Sequence, residues 1–99
     1  MVKFGLVVRL VAKPGKETEL ATFLSGAEPL ARAEAFTPLW FALRAGPNVF
    51  YIVDAFATVA DRGKHLTGNI AKALMANAEL LLAEPPQIEN VDVLAAKTS

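Results

Sequence analysis

The strand-like segments of this sequence carry apolar side chains on both faces, which limits the folds open to the chain more than any other feature. Successive side chains of a strand point to opposite faces, so a sheet with one wet face alternates apolar and polar residues. In three segments the residues of both faces are largely apolar instead. The two faces are Phe4, Leu6, Val8 and Leu10 against Val7, Arg9 and Val11 in the first segment, Leu39, Phe41 and Leu43 against Trp40 and Ala42 in the second, and Phe50, Ile52 and Phe56 against Tyr51, Val53 and Ala55 in the third. Helices of the same chain can cover only one face, so a second copy is predicted to cover the other.

Turn and helix signals between these segments predict the order βαββααβ. The predicted strands are Val2–Ala12, Pro38–Arg44, Val49–Ala57 and Ile88–Ala96, and the predicted helices are Lys16–Glu34, Val59–Leu66 and Asn69–Ala83. Pro29 predicts an irregularity in the first helix, Thr58 a cap for the second and Asn69 a cap for the third. Antiparallel strands with helices on one side give an α+β, ferredoxin-like plait, and two such sheets packed face to face give a dimeric α+β barrel.

Composition narrows the classes of partner. A chain of 99 residues has room for a single domain spanning residues 1–99. Ten basic residues balance ten acidic ones without a basic run, so neither nucleic acid nor a membrane is expected as a partner. The chain has no cysteine, and its opening residues, Met1 to Gly5, run into a strand pattern rather than a signal peptide. We therefore expect a cytoplasmic protein.

The sequence offers few residues for chemistry. There is one histidine, and no carboxylate is evident beside it, so no metal site is expected; no glycine-rich nucleotide fingerprint or nucleophile elbow is present. His65 near the end of the short helix is either a cation favoured by the helix dipole or a base in a pocket. Asp54 interrupts an apolar strand face and needs a partner, for which Arg9 and Arg44 are the nearest candidates. An ion pair that sets strand register and a role in a site both remain open.

Three aromatic residues lie on the central hairpin: Trp40, Phe41 and Tyr51. Aromatic residues at such positions commonly belong to the core, but they can also form a flat-sided slot for a planar ligand.

The whole pattern resembles the antibiotic biosynthesis monooxygenase superfamily, whose members are small dimeric α+β barrels. The resemblance rests on a valine-rich first strand that leads into Lys13–Lys16, on Asp54 near the end of the third strand, and on His65 eleven residues later. The chain departs from the family at Phe56, where Trp is more common, and at Ile70, which replaces a second histidine. Order, length and spacing together carry the likeness, since no single motif is highly specific.

Members of this superfamily with known activity oxidise quinols, anthrones or related polycyclic phenols with molecular oxygen, without metal or flavin. The resemblance thus implies a cofactor-independent monooxygenase of a small aromatic substrate, with His65 and Asp54 as catalytic residues. The residues it implies for substrate binding are Trp40, Phe41, Arg44, Tyr51 and Arg9. A second hypothesis, favoured by the missing second histidine, is a non-catalytic dimeric barrel that binds a small apolar ligand.

Overall fold

In a computed structural model that describes residues 1–98, the chain forms a four-stranded antiparallel sheet with its helices packed against one face. The strands are β1 (Phe4–Val11), β2 (Leu39–Arg44), β3 (Val49–Phe56) and β4 (Gln87–Asp92), and the helices are α1 (Glu17–Gly26), α2 (Glu28–Ala33), α3 (Val59–Leu66) and α4 (Asn69–Leu81). The strands are arranged in the order β2-β3-β1-β4. This arrangement confirms the predicted α+β, ferredoxin-like plait.

The first helical segment differs from the prediction. A single helix with an irregularity at Pro29 was expected over Lys16–Glu34, but the chain forms two helices that meet at Ala27. Pro29 has no N–H and stands in the first turn of α2, where a missing donor is tolerated. At the junction the Ala27 N–H bonds the Leu24 carbonyl, only three residues back. The break gives α2 its own direction, and α2 delivers Glu34 as its C-cap residue.

The other two helices begin in different ways. The Thr58 hydroxyl accepts the Asp61 N–H at 3.0 Å, so the predicted cap of α3 is confirmed. The predicted cap at Asn69 is wrong, because Asn69 is already helical and Gly68 occupies the N-cap position of α4 without a side-chain bond. The last strand ends at Asp92 instead of continuing to Ala96.

The two faces of the sheet differ in exposure. The helix-facing side forms the core, which consists of Val8, Leu10, Ala12, Leu20, Leu24, Phe50, Ile52, Leu74, Leu81 and Leu82. On the opposite side, Phe41 is 51% exposed and Leu43 48% exposed, while Val7, Tyr51 and Val53 are half-buried. We call this second side the open face. Within one chain it is an apolar surface without a covering layer.

No helix within residues 1–98 combines the length and the apolar character needed to span a bilayer.

Candidate functional site

A buried histidine lies between two carboxylates on the helix-facing side of the sheet. His65 Nδ1 is 2.7 Å from Glu34 Oε1, and His65 Nε2 is 2.8 Å from Asp54 Oδ2. His65 is only 5% exposed. Because an ionised carboxylate can only accept hydrogen bonds, the imidazolium, with a proton on each ring nitrogen, is the form that suits both partners. We call Glu34, His65 and Asp54 the buried triad.

Glu34 is held by short-range contacts at the end of α2. The Thr37 hydroxyl donates to Glu34 Oε1 at 2.8 Å, and the Thr37 N–H donates to the Glu34 carbonyl at 3.0 Å. The second carboxylate oxygen, Oε2, lies against Gly68 so closely that a Cβ there would come within 2.7 Å of it. Because Gly68 begins α4, the carboxylate sits by a helix N-terminus, where a negative charge is favoured.

Asp54 enters the triad from the middle of the sheet. It points to the helix-facing side of β3, between Ile52 and Phe56, and is 2% exposed. Its contact with His65 has the distance of an ion pair but not the alignment of a hydrogen bond. Its other oxygen, Oδ1, is buried and has no partner among residues 1–98. An acceptor of this kind is costly to bury.

The triad sets the protonation of its histidine. Burial lowers the pKa of His65, but the close contacts with the Asp54 and Glu34 carboxylates outweigh burial and raise the pKa above its ordinary value. The raised pKa agrees with the geometry, in which both nitrogens face carboxylate oxygens. The charged form of His65 is therefore favoured more in the folded chain than in a free histidine.

A cleft of about 330 Å³ opens near the triad, although none of the three triad residues lines it. It is lined by Glu28, Ala31, Arg32, Thr37, Pro38 and Trp40. Thr37 joins the cleft to the triad, because its hydroxyl donates to Glu34. Trp40 joins it from the sheet, because it lies opposite Asp54 in the pairing of β2 with β3. The Trp40 indole Nε1 is buried and has no hydrogen-bond partner within the described part of the chain.

The structure brings together the two residues predicted as catalytic, but not the two arginines predicted to pair with Asp54. Arg9 lies opposite Tyr51 and pairs with Glu84 at 3.3 Å, and Arg44 donates to backbone carbonyls of the hairpin turn. The predicted pairing with Asp54 is wrong because Arg9 points to the open face and Arg44 lies at the far end of β2, opposite Phe50.

The three hairpin aromatic residues do not line one slot. Trp40 packs against the core, whereas Phe41 and Tyr51 lie on the open face. Strand alternation is the reason, because neighbouring residues of a strand point to opposite sides of the sheet. Of the three, Trp40 alone borders the cleft described above.

Sequence reasoning missed Glu34 and Thr37 and stated that no carboxylate approaches His65, which is wrong. Glu34 is 31 residues from His65 along the chain. One local signal was present: Glu34 lies within Ala33-Glu34-Ala35-Phe36, a short apolar stretch where a solvated carboxylate is not expected. Only the tertiary fold shows which group this carboxylate meets.

Comparisons with known proteins place the chain among small α+β structures. It is 57% identical to NE2512, a protein of unknown function from Nitrosomonas europaea, over 100% of this chain and 96% of that one, with a TM-score of 0.98. A candidate antibiotic biosynthesis monooxygenase from Caulobacter crescentus is 21% identical, over 95% of this chain and 92% of that one, with a TM-score of 0.81. Another from Nitrosomonas europaea is 16% identical, over 93% and 90%, with a TM-score of 0.82.

Neither a protein-family model nor a curated protein matches the sequence. The likeness to the two candidate monooxygenases lies at low identity and is one of fold.

Proposed function

We propose that this chain, which belongs to the family of NE2512 and has the antibiotic biosynthesis monooxygenase fold, is a cofactor-independent monooxygenase. Its substrate would be a small aromatic compound of the quinol, anthrone or polyphenol class, oxidised by molecular oxygen. The observation that carries the proposal is the buried triad beside the cleft that Trp40 borders.

We assign the role of proton acceptor to Asp54 rather than to His65. Both nitrogens of His65 face carboxylates, so its ring has no free lone pair for a substrate proton. Asp54 Oδ1 is free of protein partners and can accept one. His65 would then act as a positioning residue, because its contact at 2.8 Å fixes the Asp54 carboxylate on the sheet.

The reaction balances without a further electron donor. When an anthrone is oxidised, its methylene carbon loses two hydrogen atoms and gains one oxygen atom. The second oxygen atom of O₂ leaves as water together with those two hydrogens. All four electrons that reduce O₂ come from the substrate. The protein has to deprotonate the substrate, hold its anion and keep bulk water away from it.

An oxygen-uptake assay tests this function. Wild type is incubated with a panel of hydroquinones, catechols and anthrones, and any active compound is then tested with Asp54→Asn and with Asp61→Asn. Loss of a general base is expected to lower kcat by about 100-fold or more. Asp61 lies in the first turn of α3 and pairs with Lys64, so the same substitution there should leave kcat nearly unchanged. If no compound in the panel consumes oxygen, the proposed activity is wrong.

One observation favours a second candidate, a non-catalytic barrel that binds a small apolar ligand. His65 is sealed by carboxylates on both sides and links α2, β3 and α3, as a purely structural ion pair would. In that case ligands of the panel would bind without any oxygen uptake, and Asp54→Asn would change stability but not chemistry.

We further propose that the protein works as a homodimer packed through the open face. Burying side chains such as Phe41 and Leu43, each about half exposed in one chain, contributes up to about 1.5–3 kcal/mol per residue. Leu43→Lys places a charge on that face and should convert the dimer to a monomer in light scattering. Leu80→Lys, at a 55% exposed position of α4, should leave the mass unchanged. A wild-type protein of monomeric mass would contradict the proposal.

A further inference from the structure

A mostly apolar cavity of about 790 Å³ lies at one end of the open face, and none of the three triad residues lines it. Each of the four strands contributes one residue to it, at or next to the end of the strand: Lys3, Leu39, Ala57 and Val93. The strand pairing continues to these positions, because the Lys3 N–H donates to the Phe56 carbonyl at 2.9 Å and the Val93 N–H donates to the Lys3 carbonyl at 2.8 Å. By strand alternation, all four side chains therefore belong to the open face.

The chain after β4 forms another wall of this cavity. Leu94, Ala95 and Ala96 line it, and Leu94 is 96% exposed. A leucine this exposed gains almost nothing from burial in the folded chain, so its apolar surface remains for another molecule to cover. The cavity thus offers aliphatic contacts from the sheet and from the segment that follows it.

The residues around the cavity predict the class of its ligand. Among the described residues that line it none has an aromatic ring, so there is no flat face on which a planar ligand could stack. Lys3 alone among them carries a charged side chain; it is exposed, and no carboxylate within residues 1–98 pairs with it. Aliphatic walls with one cation complement a molecule that has an aliphatic body and one anionic end.

We propose that this cavity binds an aliphatic monocarboxylate, with its chain against Leu39, Val93 and Leu94 and its carboxylate paired with Lys3. A lysine suits this role, because its apolar stem can lie along the wall while its ammonium group stays in water. The volume is within the range of about 300–1,000 Å³ that is common for small-molecule sites. The inference goes beyond the proposed function, because neither the triad nor oxygen chemistry takes part in it.

Calorimetric titration with three probes tests the proposal. Octanoate has the aliphatic chain and the charge, hexanoate has a shorter chain with the same charge, and octan-1-ol has the longer chain without a charge. Each buried methylene group contributes about fourfold to affinity, so octanoate should bind up to about 15-fold more tightly than hexanoate.

Variants test the two ends of the ligand separately. Lys3→Gln should weaken octanoate binding by about two- to fivefold and leave octan-1-ol binding unchanged. Its matched control, Lys72→Gln at an exposed position of α4, should leave both unchanged. Leu94→Ser should weaken the binding of both octyl compounds, whereas Leu80→Ser should not. Neither leucine variant should unfold the chain, because Leu94 is 96% exposed and Leu80 is 55% exposed.

Nuclear magnetic resonance places the ligand without any variant. The methyl signals of Leu39, Val93 and Leu94 should move when octanoate is added. The indole N–H signal of Trp40 should stay in place, because Trp40 borders the cleft near the triad and not this cavity. If the three methyl signals stay in place, or if only the Trp40 signal moves, the inference is wrong.

Two further results would overturn the inference. If none of the probes binds at millimolar concentration, the competing occupant fills the cavity, namely the second copy that the proposed dimer brings to the open face. If octanoate and hexanoate bind equally, or if Lys3→Gln behaves like Lys72→Gln, the ligand class is wrong. The oxygen-uptake assay bears on neither result, so the monooxygenase and this binding site can fail independently.

Discussion

The stability of the folded chain should decrease as the pH rises through the pKa of His65. In the unfolded chain this histidine has its ordinary pKa of about 6.5. In the folded chain burial lowers the pKa, but Asp54 and Glu34, at 2.8 and 2.7 Å, outweigh burial and raise it. Between the two pKa values the folded state binds more protons than the unfolded state. The stabilisation from His65 is thus fully present below about pH 6.5 and is lost as the pH rises through the folded-state pKa.

The magnitude follows from the single proton involved. A difference of one bound proton gives a slope of at most about 1.4 kcal/mol per pH unit in the free energy of unfolding. The signal should be clean, because the chain has one histidine and no cysteine.

Urea unfolding at a fixed protein concentration, from about pH 6 to pH 9, measures this slope. His65→Gln removes the titrating group and should abolish the slope attributed to it. The variant should also be less stable by about 3–5 kcal/mol at neutral pH, because it leaves two buried carboxylates without their cation. A wild-type stability that is flat or increases over this range would refute the imidazolium assignment. So would a variant with the same slope as wild type.

Two further substitutions test how the chain supports the triad. Gly68→Ala would place a Cβ 2.7 Å from Glu34 Oε2 and should lower the free energy of unfolding by about 1–3 kcal/mol in chemical denaturation. Its matched control, Gly63→Ala within α3, meets nothing within 4 Å and should raise stability by about 0.5–1 kcal/mol; equal effects would contradict the steric reasoning. Thr58→Ala removes the cap that begins the helix of His65 and should lower the thermal midpoint through a loss of about 1 kcal/mol, whereas Thr58→Ser should retain most of it.

Much of the fold could be predicted because its signals are local. Strand alternation, the Gly46 turn and the Thr58 cap each involve residues within a few positions of one another, and all three recur in the structure. The errors fell where two local signals compete. Pro29 separated two helices rather than bending one, and Gly68 took the capping position expected for Asn69.

The candidate site was predicted only in part, because its residues come from elements that are far apart in the sequence. Asp54 and His65, on the consecutive elements β3 and α3, were named together only through the family resemblance, and their contact itself was not predicted. Glu34 comes from a separate helix end, and nothing local indicates which residue a distant carboxylate will meet. Grouping Trp40 with Phe41 and Tyr51 overlooked the alternation that separates them.

The buried polar atoms of the triad that lack a hydrogen-bond partner affect how much the triad can stabilise the fold. A buried ion pair seldom stabilises a protein more than apolar residues of the same size would, because desolvation offsets the attraction. The triad leaves one oxygen of each carboxylate, Glu34 Oε2 and Asp54 Oδ1, without a hydrogen-bond or ion-pair partner among residues 1–98. The indole Nε1 of Trp40, the cross-strand neighbour of Asp54, is likewise buried without an acceptor in the described part of the chain. Burying these polar atoms without partners costs free energy, so the triad stabilises the fold less than a fully hydrogen-bonded triad would.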